Sequence, residues 1–184
     1  MSSNKNVSII AEGNWLNLAE ITYTDAYGKE RKWETVGRKK SCGAVMMIPR
    51  LKPSGDLILV RQFRPPVGAN AIEFPAGLIE PDEDPALAAV RELREETGYS
   101  GVVCRESKKS FSSPGLSSEY LLQFMIEIDE TAQDRLETDF DETEFIETFR
   151  VHPDNLIDFL SEREAAGDVI DAKVRSFACA LQLF

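Results

Sequence analysis

Three glutamates at helical spacing are the residues of this chain best suited to chemistry. Glu92, Glu95 and Glu96 stand at positions i, i+3 and i+4, so a helix would place them on one face. They also fall in the last turn of the predicted helix, where the helix dipole disfavours negative charge. A divalent cation relieves both penalties, because hard ions such as Mg²⁺ prefer carboxylate oxygens. A solvated acidic face is the commoner meaning of such a cluster and is the alternative.

The helix that carries these glutamates has recognisable start and stop signals. Asp84 suits the N-cap position, Pro85 the first turn and Gly98 a left-handed end. One face is apolar and is expected to pack on a sheet; its members are Ala86, Val90, Leu93 and Thr97. The glutamates are then expected on the stripe opposite this core face.

The spacing around the glutamates resembles the signature of the Nudix hydrolase superfamily. The pattern GX5EX7REUXEEXGU, where U is a bulky apolar residue, is matched by Gly77, Glu83 and residues 91–99, with Tyr99 as the loose position. The resemblance implies a Nudix fold of mixed α/β (α+β) class, in which a mixed β-sheet is sandwiched between helices. It also implies a pyrophosphatase that uses Mg²⁺, or Mn²⁺ as the alternative, to polarise a diphosphate and help ionise the attacking water.

The same resemblance implies a role for each position of the signature. Arg91 is expected to hold the glutamates in place through an ion pair, and Gly77 to permit a tight loop before the helix. One to three metal ions are compatible with the pattern. The expected metal ligands are one backbone carbonyl and four acidic side chains: Ala76, Glu83, Glu92, Glu95 and Glu96.

Segments outside the signature resemble the ADP-ribose (ADP-sugar) pyrophosphatase subgroup. They are residues 61–66, 72–78, 113–117 and 169–181, and the likeness runs from about Trp15 to Leu181. It implies Mg²⁺-dependent hydrolysis of ADP-ribose, or a related ADP-sugar, to AMP and ribose 5-phosphate. Two other functions stay open: a Nudix hydrolase of GDP-mannose or an oxidised nucleotide, and a non-catalytic domain that senses ADP-ribose. Such sensing domains commonly lose signature glutamates, and none is lost here.

Two tryptophans are expected to form the adenine platform. Trp15 and Trp33 are the only tryptophans of the chain. In similar enzymes the two stacking indoles come from different subunits, which implies a homodimer that exchanges its N-terminal sheets. Each stack is worth roughly 1–3 kcal/mol. Burial of both residues in a core is the alternative.

Further substrate contacts are implied by the resemblance. Arg38 and Arg64 are expected on the nucleotide or its phosphates, with a turn-stabilising charge as the alternative for Arg64. Glu73 would join the metal cluster or orient a ribose. The far end of the cleft is expected to contain Ser113, Pro114, Ser117 and Glu119, although turn chemistry explains this segment equally well.

Hydrolysis also needs a general base, which the subgroup usually carries on a loop after a long strand. Glu144 aligns best with that place, and Asp141, Glu142 and Glu95 are the alternatives. A carboxylate suits the task when neighbouring charges and burial raise its pKa toward neutrality.

Composition excludes several other classes of function. The formal net charge of −11 disfavours a protein that coats nucleic acid. A single histidine, His152, argues against a histidine-rich zinc site and a Ser-His-Asp triad, so the chemistry is expected to depend on carboxylates. There is no signal-like segment and no membrane-spanning apolar run. Three scattered cysteines, expected to be small buried residues, favour the reducing cytoplasm.

The pattern of the remaining chain predicts two parts. Residues 1–40 alternate like a small antiparallel β-meander, the expected dimerisation and adenine-binding element, and residues 41–184 form the Nudix domain. Strands are predicted at 43–48, 57–63, 71–74, 102–104, 120–128 and 145–151, and helices at 84–97, at 154–165 and from 171 onward. The last helix is predicted to bury Val174, Phe177, Ala178 and Leu181.

Overall fold

Two β-sheets organise the computed structural model, which describes residues 6–40, 43–132, 137–139 and 145–182. The first sheet is antiparallel and consists of β1 (Asn6–Glu12), β2 (Leu16–Thr24) and β3 (Glu30–Arg38) in that order. The Asp25 carboxylate closes the turn between β2 and β3 by accepting hydrogen bonds from the backbone N–H groups of Tyr27 and Lys29. The predicted N-terminal meander is thereby confirmed.

The second sheet has eight strands within the described ranges and is mixed. β4 runs parallel to β9 and β6 runs parallel to β11, whereas the other pairs are antiparallel. The pattern does not predict β7 and β11, because strands this short carry too little periodicity. The strands are β4 (Gly43–Lys52), β5 (Leu57–Arg64), β6 (Ala69–Glu73), β7 (Ala76–Leu78), β8 (Val102–Glu106), β9 (Tyr120–Asp129), β10 (Ile146–Val151) and β11 (Val169–Ile170).

Helices cover both faces of this mixed sheet. They are α1 (Pro85–Thr97), α2 (Leu156–Ala165) and α3 (Ala172–Leu181), and a short 3₁₀ turn (Pro153–Asn155) precedes α2. Because side chains alternate along a strand, Met47 of β4 packs with Leu93 of α1 while Met46 packs with Leu160 of α2 and Val174 of α3. The predicted sandwich of a mixed sheet between helices is confirmed.

Helix α1 begins and ends as its sequence predicts. The Asp84 carboxylate accepts hydrogen bonds from the N–H groups of Ala86, at 2.9 Å, and Leu87, at 3.2 Å. Gly98 adopts a left-handed φ of 72°, and its N–H donates to the carbonyl of Arg94. Both ends are therefore fixed by local chemistry, and this fixes which residues reach the last turn.

The buried face of α1 differs from the predicted one. Ala89, Leu93 and Thr97 are buried as a helical stripe, but Val90 is only half-buried and Glu96 is 6% exposed. Glu96 follows Leu93 by three residues, so the helical period carries its side chain to the edge of the core face. The prediction that all three glutamates lie opposite the core was wrong for Glu96.

Two other burial predictions were wrong. Leu181 is 43% exposed, because it lies in the last turn of α3, beyond the residues that reach the core. Cys104 and Cys179 are free and exposed, on β8 at the edge of the sheet and on the outer face of α3. Cys42 lies outside the described residues.

The described residues contain no helix that combines the length and apolar character that crossing a bilayer requires.

Two leucines of α1 test its buried face. Leu93→Ala should lower the free energy of unfolding by about 2–5 kcal/mol, because it leaves a cavity between the helix and β4. Leu87→Ala on the same helix should change it by no more than about 0.5 kcal/mol, since Leu87 is 67% exposed. Urea denaturation measures both values. Equal destabilisation by the two changes would contradict this orientation of α1.

Candidate active site

A cavity of about 750 Å³ opens beside the C-terminal half of α1. Its wall is built by the ends of β3 and β5, by β7, by α1 and by the residue just before β9. Many of the residues predicted from the sequence to form the site line this cavity: Arg38, Arg64, Ala76, Arg91, Glu92, Glu95, Glu96 and Glu119. The fold therefore collects residues that are far apart in the chain around the glutamate helix.

Arg91 is the hub of the acidic side of the cavity. Its guanidinium donates two hydrogen bonds to Glu83, at 2.8 and 2.9 Å, and single bonds to Glu92, at 3.0 Å, and Glu95, at 2.9 Å. A further N–H donates to the Leu78 carbonyl. The hydrogen bonds that Arg91 donates to Glu83 raise the pKa of Arg91 above its ordinary value, and the same bonds lower the pKa of the Glu83 carboxyl. Arg91 thus neutralises acids that would otherwise repel one another.

Glu96 is held separately from the Arg91 cluster. Its carboxylate accepts a hydrogen bond of 3.2 Å from the backbone N–H of Ala76. Ala76 is in turn fixed by the pairing of β7 with β4, opposite Met46. The short strand β7 therefore brings the backbone that the sequence predicts as a metal ligand next to the buried glutamate.

Gly77 is required for a reason other than the predicted one. It lies within β7 rather than in a tight loop. A Cβ atom built on Gly77 would stand 1.8 Å from the Cδ atom of Glu92 and 2.1 and 2.2 Å from its two carboxylate oxygens. The glycine therefore leaves room for the Glu92 carboxylate to approach the strand.

The donor groups suit a hard divalent cation. Carboxylate oxygens of Glu92, Glu95 and Glu96 lie on one cavity wall with the Ala76 backbone, and the space kept free at Gly77 holds one of them. In the described part of the chain, no three acidic, histidine or cysteine side chains are close enough to coordinate an ion. Joint binding of one ion by these carboxylates would require Glu92 and Glu95 to rotate away from Arg91, to which both are hydrogen-bonded here.

Arg64 serves the cavity and a turn at the same time. Its side chain lines the cavity, and its Nε atom lies 3.2 and 3.0 Å from the two carboxylate oxygens of Glu73. Its backbone carbonyl accepts hydrogen bonds from the N–H groups of Val67 and Gly68, which closes the turn between β5 and β6. Glu73 is paired with Arg64 and is not among the residues that line the cavity.

A smaller cavity of about 270 Å³ adjoins the first and shares Arg38, Ala44 and Glu119 with it. Ser113 and Ser117 line this side cavity. The same residues also form a turn, because the Ser113 carbonyl accepts the N–H groups of residues 116 and 117 and the Ser117 hydroxyl accepts the N–H of Glu119. Ser113 and Ser117 therefore form a turn and line the side cavity at the same time. Pro114 is not among the residues that line either cavity.

Both tryptophans are on the surface of the N-terminal sheet. Trp15 is 74% exposed and Trp33 is 51% exposed, so the alternative that both are core residues is wrong. The Trp33 indole N–H donates to the carbonyl of Gly115 at 2.9 Å. Neither indole lines the two cavities of the single chain.

Sequence reasoning missed Lys40 and Asp139, which also line the larger cavity. The backbone N–H of Asp139, a residue of the acid-rich segment 129–144 (the acidic loop), donates to the Glu95 carbonyl at 3.0 Å, so residue 139 is tied to the last turn of α1. No sequence signal separates Asp139 from the other acids of that loop. Glu144 and its alternatives Asp141 and Glu142 lie outside the described residues, so the identity of the base stays a prediction.

Comparison with known proteins decides the family. A model of the NUDIX domain matches residues 40–172, which include the glutamate helix and the strands β4, β5 and β7, each of which contributes residues to the cavity. The chain belongs to the Nudix family. The prediction of a Nudix hydrolase is confirmed by this match.

Similar proteins match over nearly the whole chain. An "ADP-sugar pyrophosphatase" of Mus musculus is 40% identical over 95% of this chain and 84% of its own length. An "ADP-ribose pyrophosphatase" of Saccharomyces cerevisiae is 36% identical over 95% of this chain and 80% of its own length. The crystal structure of an "ADP compounds hydrolase" has a TM-score of 0.64 at 23% identity and covers 85% of this chain and 80% of that one, which supports the predicted Nudix fold.

Gly77→Ala tests whether the close approach of β7 to Glu92 matters for metal binding. The added methyl group should displace the Glu92 carboxylate and weaken Mn²⁺ binding by about 10-fold or more, as loss of ligand positioning generally does. Calorimetric titration with Mn²⁺ measures the change. Gly13→Ala is the matched control, since its nearest contact would be an ordinary 3.4 Å from the Leu16 carbonyl. Unchanged Mn²⁺ affinity in Gly77→Ala would refute this role.

Proposed function

We propose that this Nudix hydrolase cleaves the diphosphate bond of ADP-ribose or a related ADP-sugar and releases AMP and a sugar phosphate, ribose 5-phosphate in the first case. The observation that carries the proposal is one cavity that combines the signature acids of α1 with cationic side chains from two other elements. The names of the mouse and yeast relatives support ADP-sugars as the substrate class.

The distribution of charge in the cavity suits a metal-bound diphosphate. The α1 wall is acidic and would repel phosphates if it were left uncompensated. Arg38, Lys40 and Arg64 line the same cavity and offer N–H donors to phosphate oxygens. A diphosphate between the two walls is then attracted by the cations on one side and linked by metal to the acids on the other.

The metal is proposed to be Mg²⁺, with Mn²⁺ as the alternative. Nudix hydrolases generally use a divalent metal, and the donor set of this cavity consists of oxygens. Glu92, Glu95, Glu96 and the Ala76 carbonyl would hold it. When bound, the metal neutralises charge on the diphosphate and helps ionise the attacking water.

The ion pair between Arg91 and Glu83 positions these carboxylate ligands and is not itself broken when they bind the metal. Glu83 takes the bidentate edge of the guanidinium and also accepts the N–H of Glu80 at 3.0 Å, which ties Arg91 to the loop before α1. When Glu92 and Glu95 turn to the metal, this bidentate pair keeps Arg91 at the edge of the cluster. Arg91 therefore orders the acids and limits their repulsion in both arrangements.

The general base is proposed to be a carboxylate of the acidic loop, with Glu144 as the first candidate and Glu95 as the alternative within α1. The bond from the Asp139 N–H to the Glu95 carbonyl supports this assignment, since it holds residue 139 beside the cavity and Glu144 follows five residues later in the sequence. Asp139 itself lines the cavity and is a further candidate.

The adenine end is proposed to bind between Trp15 of one subunit and Trp33 of the other in a homodimer with exchanged N-terminal sheets. The exposure of Trp15 and Trp33 in the single chain supports this arrangement. The apolar residues Val7, Ile9 and Ile10 of β1 are exposed as well, and a second copy would cover them. The side cavity with Ser113 and Ser117 offers hydroxyl groups to the ribose or the terminal sugar. The two-part division at residue 40 and the cytoplasmic location stay predictions.

Hydrolysis of ADP-ribose with Mg²⁺, followed by AMP release on chromatography, tests the function. Wild type should release AMP, and a panel with GDP-mannose and oxidised nucleotides should rank ADP-ribose first by kcat/KM. An inactive wild type that still binds ADP-ribose would favour the sensing alternative and refute hydrolysis.

Glu96→Gln tests the metal assignment in the active enzyme. It keeps the size of the buried side chain and an oxygen for the Ala76 N–H, so the fold should survive. We expect kcat to fall by more than about 100-fold, since even groups that only support metal ligands contribute about 10–100-fold. Glu106→Gln, at an exposed position of β8, is the control and should retain activity. A fully active Glu96→Gln enzyme would contradict the assignment.

Trp33→Ala and Trp33→Phe separate stacking from the hydrogen bond to Gly115. Loss of a stacked ring should raise the KM for ADP-ribose by about 10-fold, as expected for roughly 1–3 kcal/mol per stack. Trp33→Phe keeps a ring but loses the indole N–H, and it should recover most of the affinity. If both variants lose affinity equally, the indole N–H rather than stacking accounts for the effect.

A further inference from the structure

Arg38 and Glu119 form an ion pair on the wall that the two cavities share. The Nε atom of Arg38 donates to Oε1 of Glu119. Arg38 ends β3 of the N-terminal sheet, and Glu119 lies just before β9 of the large sheet. Both residues line the larger cavity and the side cavity. The negative charge of Glu119 therefore lies beside Arg38, which is proposed to bind a phosphate. The presence of an acid at this place needs a physical reason.

Joining β3 to the segment before β9 is not that reason, because other bonds already do so. The N–H of Val36 donates to the Leu116 carbonyl at 3.0 Å, and the Thr35 hydroxyl donates to the same carbonyl at 2.8 Å. The Trp33 indole adds a bond to Gly115. These contacts lie along β3 before Arg38, so β3 stays hydrogen-bonded to residues 115 and 116 when the ion pair is removed.

Stability is not that reason either. The Arg38 side chain is 44% exposed and the Glu119 side chain is 35% exposed. Ion pairs this open to water contribute little to folding, because solvent screens them and ordering two long side chains costs entropy. Placing an acid beside a site for phosphates also weakens phosphate binding unless the acid improves the arginine in some other way.

The geometry of the guanidinium supplies such an improvement. Arginine presents five N–H donors in a rigid fork, with one edge formed by Nε and one terminal nitrogen and a second edge formed by the two terminal nitrogens. Glu119 engages Nε. The two terminal nitrogens can then donate a bidentate pair of hydrogen bonds to a second anion.

We propose that Glu119 is a positioning residue that orients Arg38 for a phosphate group of the nucleoside diphosphate. Glu119 does not touch the substrate in this role. It fixes the rotation of the guanidinium, so that less side-chain entropy is lost when the phosphate binds. The inference rests on the proposed function and deepens it, because it names the residue that sets the phosphate contact at the border of the two cavities.

A double-mutant cycle on Arg38 and Glu119 tests the inference, with the affinity for ADP in the presence of Mg²⁺ measured by calorimetry. ADP binding needs no turnover, so the measurement is independent of hydrolysis. Glu119→Ala should weaken ADP binding by about 5- to 10-fold. Arg38→Ala should weaken it more, and adding Glu119→Ala to Arg38→Ala should cause no further loss. Glu119→Gln keeps an accepting oxygen for Nε and should recover part of the affinity.

Glu12→Ala is the matched control. Glu12 pairs with Lys39, the neighbour of Arg38, at 3.0 Å on the same sheet and lines neither cavity. This variant should bind ADP as wild type does. In hydrolysis, Glu119→Ala should raise the KM for ADP-ribose while kcat stays within about 2-fold, as expected when a contact acts equally on substrate and transition state.

Additive effects of the two alanine changes, tighter ADP binding by Glu119→Ala, or no ADP binding by wild type would overturn the inference. Coupling in ADP binding together with an enzyme that does not hydrolyse ADP-ribose would leave the inference standing and refute the proposed function. If the enzyme hydrolyses ADP-ribose but the two alanine changes act additively on ADP binding, the proposed function stands and the inference is refuted.

Discussion

Repulsion among the carboxylates of α1 is the constraint on which the rest of the site depends. Glu92 and Glu95 share one face of the last helical turns, where the helix dipole adds to their mutual repulsion. In the single chain this charge is balanced by Arg91, which spans Glu83, Glu92 and Glu95. The arrangement is costly for folding alone, and it becomes useful when a divalent cation takes over the neutralisation.

The architecture around α1 follows from this constraint. β7 is only three residues long, but it places the Ala76 N–H on Glu96 and keeps the position of Gly77 free for Glu92. The cationic lining of the same cavity comes from the ends of β3 and β5. Under the proposed function, a ligand with negative charge in its middle would contact both sets of side chains, with Arg38 held by Glu119 at the border of the side cavity.

Sequence reasoning recovered what local chemistry determines. Asp84 and Gly98 fix the ends of α1, and the resemblance to the Nudix signature identified the α1 residues that line the cavity, Arg91, Glu92, Glu95 and Glu96. What it could not recover depends on which strand approaches the helix. The burial of Glu96 and the clash that a side chain at residue 77 would cause are both consequences of β7, whose short run carries no periodic signal.

Other features escaped sequence reasoning for a different reason. Asp139 resembles every other acid of its loop, and only its backbone bond to Glu95 places it at the cavity. The exposure of Trp15 and Trp33 likewise depends on tertiary structure, because the alternating pattern of the meander suits a half-buried sheet as well as an open one. Residue type alone therefore did not distinguish the acid that lines the cavity from its neighbours, or exposed tryptophans from buried ones.

A crystal structure with Mg²⁺ and a methylene-bridged, non-hydrolysable ADP-ribose tests the central claim most directly. We expect Mg²⁺ at about 2.0–2.1 Å from carboxylate oxygens of α1, the usual distance for this ion. We also expect Glu92 to turn from Arg91 to the metal while Arg91 stays paired with Glu83. A metal bound away from α1, or a diphosphate bound while Arg91 still holds Glu92 and Glu95, would contradict it.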